Sequence, residues 1–396
     1  MDRAALAERF VRVRAATEAL AAPLSAEDQQ VQSMPDASPT KWHRAHTTWF
    51  FETFALVDEP VFHGDFAFLF NSYYDTMGER MARARRGMIT RPTAERVSAY
   101  REHVNARVLA RIRGADDVEL ARLRAILAVG CAHEEQHQEL VLTDILHAFS
   151  EIGSVYASDR HFLLAPQAPS QWRSISGGVV AMGASVDDAS ASAFAFDNEG
   201  PRHSVLLRDY QIASSLVTVG NVKEFMRARG YDTPTLWLSQ GFATAHAHGW
   251  RAPGYARVDD DGVYRQFSLA GWRAPTDDEP AVHLSFWEAE AIARFLGARL
   301  PTEHEWEHAA RTLGEALANK YDSAWQWTRS SYDPYPGFVT PAGALGEYNG
   351  KFMAQQLVLR GGSRFTPTGH SRASYRNFWP PDTRFQLAGA RLARDA

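Results

Sequence analysis

The chain has 396 residues, enough for two or three domains of about 150 residues each. Hydrophobic residues make up 45% and charged residues 22%, which excludes a disordered or fibrous protein. A formal net charge of −5 does not suggest the basic face of nucleic-acid-binding proteins, so no nucleic-acid partner is expected. No apolar run is long enough to span a bilayer, and charges near the N-terminus argue against a secretory signal, so no membrane partner is expected either.

The chain contains a single cysteine, Cys131. This count excludes an internal disulfide, a multi-cysteine zinc finger and an all-cysteine iron–sulfur site. It fits a reducing compartment, and we predict a cytoplasmic location. Any metal ion must therefore be bound by carboxylates and by some of the 15 histidines.

Four helices are predicted in the first part of the chain, over residues 2–20, 40–57, 93–112 and 117–149. The third follows an Arg-Pro break, with Thr93 as the expected N-cap. Helices of this length predict an up-and-down four-helix bundle with one long connection, at about residues 58–92.

Residues 165–396 have a different character, since Gly, Pro, Trp and Ser separate short segments. Residues 205–207 and 357–359 are predicted strands, and only 219–229, 285–296 and 303–313 are predicted helices. We therefore predict an α+β multidomain protein, with a helical domain over 1–160 and a mixed α+β domain over 165–396.

The strongest local motif is His-Glu-Glu-Gln-His at residues 133–137, within the fourth predicted helix. Positions i and i+4 share one helix face, so His133 and His137 can bind one metal ion. The motif also satisfies the His-Glu-x-x-His pattern of zinc proteases, in which Glu134 would be the general base. The alternative is a pair of surface histidines on a charged helix.

A second histidine cluster, Trp-His-Arg-Ala-His at residues 42–46, begins the second predicted helix. A bundle interior suits a site built from facing helices, so His43 or His46 could complete a three-histidine site. Such a site leaves open positions for substrate and dioxygen, and imidazole ligands suit iron, zinc and copper alike.

Two further clusters could bind substrate. Tyr73 and Tyr74 precede a run of arginines in the long connection, where a tyrosine could donate a proton near the metal and arginines could bind a carboxylate. The aromatic segment 375–381 could surround a quaternary ammonium group through cation–π attraction. The alternatives are a solvated basic loop with packing tyrosines and an aromatic core plug.

The segments 38–54, 71–74 and 133–137 together resemble the ergothioneine-biosynthesis sulfoxide synthases (EgtB type). The second half is similar to the formylglycine-generating-enzyme fold, itself C-type-lectin-like, in its Gly-Gly pair at 177–178, its Arg-Leu-Pro-Thr-Glu string at 299–303 and its Arg-Gly-Gly-Ser string at 360–363. Segments 346–352 and 375–381 narrow the resemblance to the sulfoxide synthases. Residues 165–396 contain no cysteine, so the copper chemistry of formylglycine-generating enzymes is not expected.

The resemblance implies a DinB-like bundle that carries iron(II) on His46, His133 and His137, and a second domain that completes the substrate pocket. The implied substrate is hercynine (trimethylated histidine), whose imidazole C2 is joined to a chalcogen that then becomes an oxide while dioxygen is consumed. The residues implied to bind hercynine are Gln136, Asn377 and Phe378. Tyr73 or Tyr74 is the implied proton donor, and Arg83 and Arg86 are implied to bind the carboxylate of a thiol donor.

The departures from the family pattern fall where the donor is expected. Residues 78–87 read Gly-Glu-Arg-Met-Ala-Arg-Ala-Arg-Arg-Gly, whereas the family has Gly-Pro-Arg-His-Pro-Arg-Pro-Arg-Arg-Gly. Arg364 and Trp379 stand where Cys and Phe are usual. These changes favour the related selenoneine synthases (SenA type), which take a selenosugar donor. The alternative donor is cysteine or γ-glutamylcysteine, as in ergothioneine-type synthesis. Two hypotheses from other functional classes are a zinc hydrolase and a non-enzymatic binding module.

Overall fold

The computed structural model describes residues 2–72, 78–156, 162–184, 194–340 and 349–396. They form two compact units, of which the first contains the described residues up to 156 and the second nearly all those from 162 onward. The predicted catalytic residues Tyr73 and Tyr74 lie outside the described residues, so their roles stay predictions.

Helices make up the regular structure described in the first unit. In chain order they are α1 (Arg3–Ala21), α2 (Thr40–Ala55), the short α3 (Phe66–Phe70), α4 (Ala94–Gly114) and α5 (Asp117–Ile152). The four predicted long helices are confirmed, and the predicted connection contains α3 and a 3₁₀ turn at Arg83–Met88.

Side-chain caps fix where three of these helices begin. The side chains of Asp2, Thr93 and Asp116 each accept a hydrogen bond from the backbone N–H three positions later. This bond satisfies one of the N–H groups that a helix start leaves without an intrahelical partner. The predicted N-cap at Thr93 is therefore confirmed.

Helix α2 is the interior element of the first unit. Fourteen of its 16 residues are buried, and it packs against both α4 and α5. Polar side chains on a buried helix must find partners inside the protein. The histidines of α2 are therefore interior groups.

A glycine allows α2 and α5 to approach closely. A Cβ atom at Gly130 of α5 would lie 2.4 Å from the Phe51 ring and 2.8 Å from the Phe50 ring, both on α2. These distances are shorter than any normal carbon–carbon contact, so only glycine fits without displacing the rings. The close approach lies one turn before His133 and brings the histidines of the two helices within reach of each other.

The second unit is a mixed α+β structure built from short elements. Its described strands are β1 (Trp172–Ile175), β2 (Gly178–Met182), β3 (His203–Leu207), β4 (Tyr210–Ala213), β5 (Ala256–Val258), β6 (Tyr264–Ser268), β7 (Gly271–Arg273), β8 (Trp325–Ser331), β9 (Leu357–Arg360), β10 (Asn377–Trp379), β11 (Ala388–Gly389) and β12 (Ala393–Asp395). The strand orders of its sheets are β1-β4-β12, β2-β3, β5-β6-β7 and β10-β9-β8-β11. Neighbouring strands are antiparallel except for the parallel pair of β8 and β11.

The helices described in this unit are α6 (Val219–Arg227), α7 (Ser239–Ala247), α8 (Phe286–Phe295) and α9 (Glu303–Leu313). The sequence predicted α6, α8 and α9 but missed α7. The buried residues of α7 are Gly241 and Ala245, and a Cβ at Gly241 would lie 2.9 Å from Trp287. A face of such small residues shows no periodic run of large apolar side chains, so the usual helical signal is absent.

Large aromatic side chains fill the interior of the second unit. Trp306, Trp325 and Trp327 are almost fully buried. The indole N–H of Trp306 donates to the Gln326 side chain at 2.6 Å, and that of Trp327 donates to a backbone carbonyl at 2.8 Å. Buried tryptophans need such acceptors, which accounts for part of the high aromatic content. Within the described residues, no helix has the length and apolar character needed to cross a membrane.

Candidate metal centre

Three buried histidines converge inside the first unit. His46 comes from α2, and His133 and His137 come from adjacent turns of α5. One ring nitrogen from each lies within 4.8 Å of the others. Across the part of the chain that the structure describes, this is the one group of three or more histidine, cysteine or acidic side chains close enough to share a metal ion.

Hydrogen bonding indicates which nitrogen of His46 is available as a ligand. His46 Nδ1 lies 2.5 Å from the Phe70 carbonyl oxygen, so Nδ1 carries the proton and donates it. The Nε2 atom is then left with a lone pair, 3.2 Å from Nε2 of His133. A cation bound between such nitrogens accepts both lone pairs, so this geometry fits a metal ion.

Burial keeps the three imidazoles in the form that binds metals. It lowers the pKa of His133 to about 3, and it lowers the pKa values of His46 and His137 well below the ordinary value for histidine. Charge on a neighbouring imidazole adds to the effect at His46 and His137. Neutral imidazole is the usual histidine ligand, and such a set suits iron, zinc or copper.

Aromatic rings enclose the histidines. Trp42 stacks on His46 with ring centroids 4.5 Å apart and planes 12° apart, and Trp49 lies parallel to the same ring at 5.9 Å. The centroids of the Phe50 and His133 rings are 5.1 Å apart. Such packing restricts ring rotation and keeps water away from the nitrogens.

Glu134 does not face the histidine cluster as a catalytic base would. It is fully buried, and its carboxylate accepts hydrogen bonds from Arg14 at 2.8 Å, Thr17 at 2.6 Å and Arg101 at 2.9 Å. Burial alone would raise the pKa of Glu134, but the two arginines outweigh it and lower the pKa to about 2. A carboxylate held as an anion by two cations is a poor proton acceptor, so the zinc-hydrolase alternative loses its base.

The buried ion cluster of Arg14, Arg101 and Glu134 is a feature that the sequence analysis missed. Arg14 and Glu134 are 120 positions apart, and Arg101 is 33 positions from Glu134. No local pattern links residues at such separations. The one available signal was the presence of arginines on the mostly apolar inner faces of α1 and α4.

The two arginines predicted to bind the donor have different surroundings. Arg86 is buried, and its guanidinium carbon lies 3.5 Å from the centre of the Trp42 ring. Its Nη atoms donate to the hydroxyls of Ser38 at 3.0 Å and Ser72 at 2.9 Å. Arg83 lies in the same 3₁₀ turn but is exposed. Arg86 is thus close to the histidine cluster through Trp42, while Arg83 is at the surface.

Gln136, predicted to contact the hercynine imidazole, is half-buried on α5, next to His137 in the chain. Gln136 therefore lies on the same helix as His133 and His137. Its predicted hydrogen bond to substrate stays a prediction.

The other predicted substrate residues belong to the second unit. Asn377, Phe378 and Trp379 form β10 and are half-buried, as is Arg364. Phe378 stacks on Tyr332 with centroids 4.0 Å apart and planes 10° apart. The Phe352 ring also lies near Phe378, with centroids 5.9 Å apart and planes 28° apart, so protein aromatic rings flank Phe378.

Trp379 carries a buried polar atom with no hydrogen-bond partner among the described residues, its indole Nε1. Its ring packs edge-to-face against Phe385 at 5.0 Å. Buried N–H groups usually have an acceptor, so this one marks a place where a ligand oxygen or a water molecule is expected.

Comparison with known families agrees with the architecture. Residues 9–141 match the DinB superfamily, and residues 164–324 match the sulfatase-modifying factor enzyme 1-like domain. The chain pairs a DinB-like helical domain with a formylglycine-generating-enzyme-like mixed α+β domain. The predicted fold class is confirmed.

Individual relatives cover parts of the chain. Hercynine oxygenase from Mycolicibacterium smegmatis is 31% identical over 252 residues, which is 52% of this chain and 58% of that protein. The formylglycine-generating enzyme of Thermomonospora curvata is 37% identical over 150 residues, 35% of this chain and 47% of that enzyme. The structure of PvdO from Pseudomonas aeruginosa matches at 20% sequence identity, over 62% of this chain and 98% of the PvdO chain. Its TM-score of 0.33 is too low to bear on function.

The chain thus spans a little over half the length of the hercynine oxygenases that it matches. The pair of domains and these relatives support the superfamily indicated by the sequence motifs.

Proposed function

We propose that the chain is an iron(II)-dependent oxidoreductase that joins selenium or sulfur to C2 of the hercynine imidazole ring, with dioxygen as the oxidant. The observation that carries this proposal is the buried cluster of His46, His133 and His137 in a chain similar to hercynine oxygenases. Three neutral nitrogen ligands leave the remaining positions of a metal ion open to substrates. Iron(II), when bound, would supply the redox chemistry that protein side chains lack.

The electrons of the proposed reaction balance with one dioxygen for each product. Joining the chalcogen to C2 removes a hydrogen from each partner, which is a two-electron oxidation. Converting the chalcogen to its oxide removes two more electrons. The four electrons reduce dioxygen, one oxygen atom of which stays in the oxide while the other leaves as water.

The chain's own groups would orient the substrates and exclude water. Trp42, Trp49 and Phe50 surround the cluster, and such enclosure prevents side reactions of reduced oxygen. The remaining proposed roles are Gln136 at the hercynine imidazole, Asn377 and Phe378 at its trimethylammonium group, Arg83 and Arg86 at the donor, and Tyr73 or Tyr74 as proton donor.

We favour a selenosugar as donor because the departures from the family pattern fall on donor-side residues. Trp379 adds a physical argument, since its buried indole N–H has no acceptor among the described residues. A sugar hydroxyl or ring oxygen could accept this hydrogen bond. The thiol-using enzymes that the chain resembles usually have phenylalanine at this position, so their donors bind without such an N–H group. The second candidate is sulfoxide synthesis with cysteine or γ-glutamylcysteine, which is favoured by the resemblance to the ergothioneine-type enzymes.

A competition assay tests the reaction and the donor together. The iron(II)-loaded protein receives hercynine, dioxygen, cysteine, γ-glutamylcysteine and a 1-selenosugar, and mass spectrometry identifies the adducts. A selenium adduct of hercynine as the main product supports the selenosugar proposal. A cysteinyl sulfoxide identifies the ergothioneine-type reaction, and the absence of any hercynine adduct contradicts both.

The variant W379F tests the part assigned to the indole N–H. A neutral hydrogen bond contributes about 0.5–1.5 kcal/mol, so kcat/KM for the selenosugar should fall about 3- to 10-fold. The rate with thiol donors should change much less. W272F is the matched control, since Trp272 is a partly exposed tryptophan of the same unit. Equal losses with both donors would remove this support for the selenosugar.

A further inference from the structure

His43 lies beside the histidine cluster but is not one of its three members. It is buried on α2, one turn before His46. Its Nδ1 atom lies 2.7 Å from Nδ1 of His137, and its Nε2 atom lies 2.9 Å from Oδ2 of Asp144. Both ring nitrogens of His43 are thus within hydrogen-bond distance of another side chain.

Asp144 is the far end of this chain of contacts. It is buried on α5, about two turns after His137. Besides facing His43, its Oδ2 atom accepts a hydrogen bond from the backbone N–H of Ser38 at 2.8 Å. Ser38 lies just before α2, so the carboxylate is fixed by both helices.

The contacts allow one consistent placement of protons when His137 binds a metal. His137 Nδ1 faces His43, so Nε2 is the atom left to bind, and a neutral ring then carries its proton on Nδ1. His137 Nδ1–H therefore donates to His43 Nδ1, which leaves the His43 proton on Nε2. That N–H donates in turn to the Asp144 carboxylate.

We propose that His43 and Asp144 are positioning residues of the metal site. In this inference they hold the ring orientation and the proton position of His137, and thereby raise the affinity of the cluster for a divalent metal ion. Histidine ligands commonly donate their second N–H to a carboxylate or carbonyl, and loss of such partners lowers metal affinity about 10- to 100-fold. The inference rests on the metal-binding part of the proposed function.

The support at His137 differs from the support at His46. His46 Nδ1 donates directly to the Phe70 carbonyl oxygen, which is part of the backbone. His137 reaches its anionic partner through a second imidazole, so two side chains are needed to orient one ligand. Side-chain variants can therefore remove the support of His137 while that of His46 is kept.

The competing explanation is that His43 and Asp144 only hold α2 against α5. In that case their variants would lower the stability of the first unit and leave the metal affinity of the folded protein unchanged. The test must therefore measure metal binding and unfolding separately, in the full-length chain.

The experiment uses cobalt(II) as a spectroscopic probe of the metal-free protein. Visible absorption follows the titration, competition with a chelator gives the affinity, and thermal unfolding of the metal-free proteins is measured in parallel. D144N keeps the shape but removes the charge, and H43F removes both nitrogens. T143V is the matched control, because the buried Thr143 is the neighbour of Asp144 and its hydroxyl donates to the Leu140 carbonyl within α5.

We expect wild type and T143V to bind one cobalt(II) with equal affinity, and D144N and H43F to bind about 10- to 100-fold more weakly. Proton NMR of the cobalt(II) proteins gives a second readout. Wild type should show strongly shifted, slowly exchanging N–H signals from His46 and His137. In H43F the His137 signal should be lost through fast exchange, while the His46 signal stays.

The outcomes separate this inference from the proposed function. If wild type does not bind cobalt(II), the proposed metal site fails and the positioning role fails with it. If wild type binds but D144N matches T143V in affinity, and H43F keeps both N–H signals, the positioning role is overturned while the metal site stands. Should H43F fail to fold, the affinity of D144N still decides.

Discussion

Replacement of Glu134 by glutamine distinguishes a stabilising role of this residue from a catalytic one. Its carboxylate is buried and accepts hydrogen bonds from Arg14, Arg101 and Thr17. Removing one partner of a buried ion pair costs about 3–5 kcal/mol, because the remaining charge is left without compensation. Glutamine keeps the shape and one acceptor oxygen, so we expect the free energy of unfolding to fall by about 3 kcal/mol.

The neighbouring residue provides the control. Glu135 is half-buried, and the distance between its carboxylate and the Arg9 guanidinium is 4.0 Å. A pair of this kind contributes about 0–1 kcal/mol, so E135Q should unfold nearly as wild type does. A loss of 3 kcal/mol would lower the melting temperature of a unit of this size by about 6–12 °C.

The measurement is denaturant and thermal unfolding followed by far-ultraviolet circular dichroism, which responds mainly to the helices of the first unit. The reasoning is refuted if E134Q and E135Q have the same stability. It is also refuted if E134Q folds as stably as wild type and loses a hydrolytic activity that wild type possesses, since that result restores Glu134 as a base.

Two further predictions concern packing and pH. G130A should lose about 1–3 kcal/mol of stability, because the added Cβ would overlap the Phe50 and Phe51 rings. G114A is the control, since Gly114 has open space around it, and it should be neutral or slightly stabilising in the same unfolding assay. Equal stability of the two variants would contradict the close approach of α2 and α5. Burial lowers the pKa of His283 from 6.5 to about 4. Between these two pH values the unfolded chain binds a proton that the folded protein does not, so the free energy of unfolding should fall by about 3 kcal/mol as the pH drops from 6.5 to 4. H283N, which suits the positive φ at this position, should therefore show a flatter dependence of unfolding free energy on pH over that window, and an unchanged slope would contradict the assignment.

Local sequence patterns were sufficient for the long helices and for part of the site. Periodicity and the cap at Thr93 gave the bundle helices nearly as the structure has them. The spacing of His133 and His137 placed both on one helix face because that geometry depends on one helix alone. Predictions of this kind need no knowledge of tertiary contacts.

The rest of the site depends on contacts between distant segments. His43 and His46 both lie on α2, and spacing alone could not choose between them. The fold decides, since the Phe70 carbonyl fixes the Nδ1 proton of His46 and His43 instead faces Asp144. The surroundings of Arg86 depend on the fold in the same way, because its guanidinium contacts Trp42 and the hydroxyls of Ser38 and Ser72.

The central claim is that the three-histidine cluster supports oxidation of hercynine by dioxygen, and stoichiometric oxygen uptake tests it most directly. The iron(II)-loaded protein is placed in an oxygen electrode with hercynine and each donor in turn, and the product is quantified from the same sample. We predict one dioxygen consumed for each hercynine adduct formed with the true donor, and neither uptake nor iron retention for H133A. Absence of hercynine-dependent uptake with every donor, or full activity of H133A, would contradict the account.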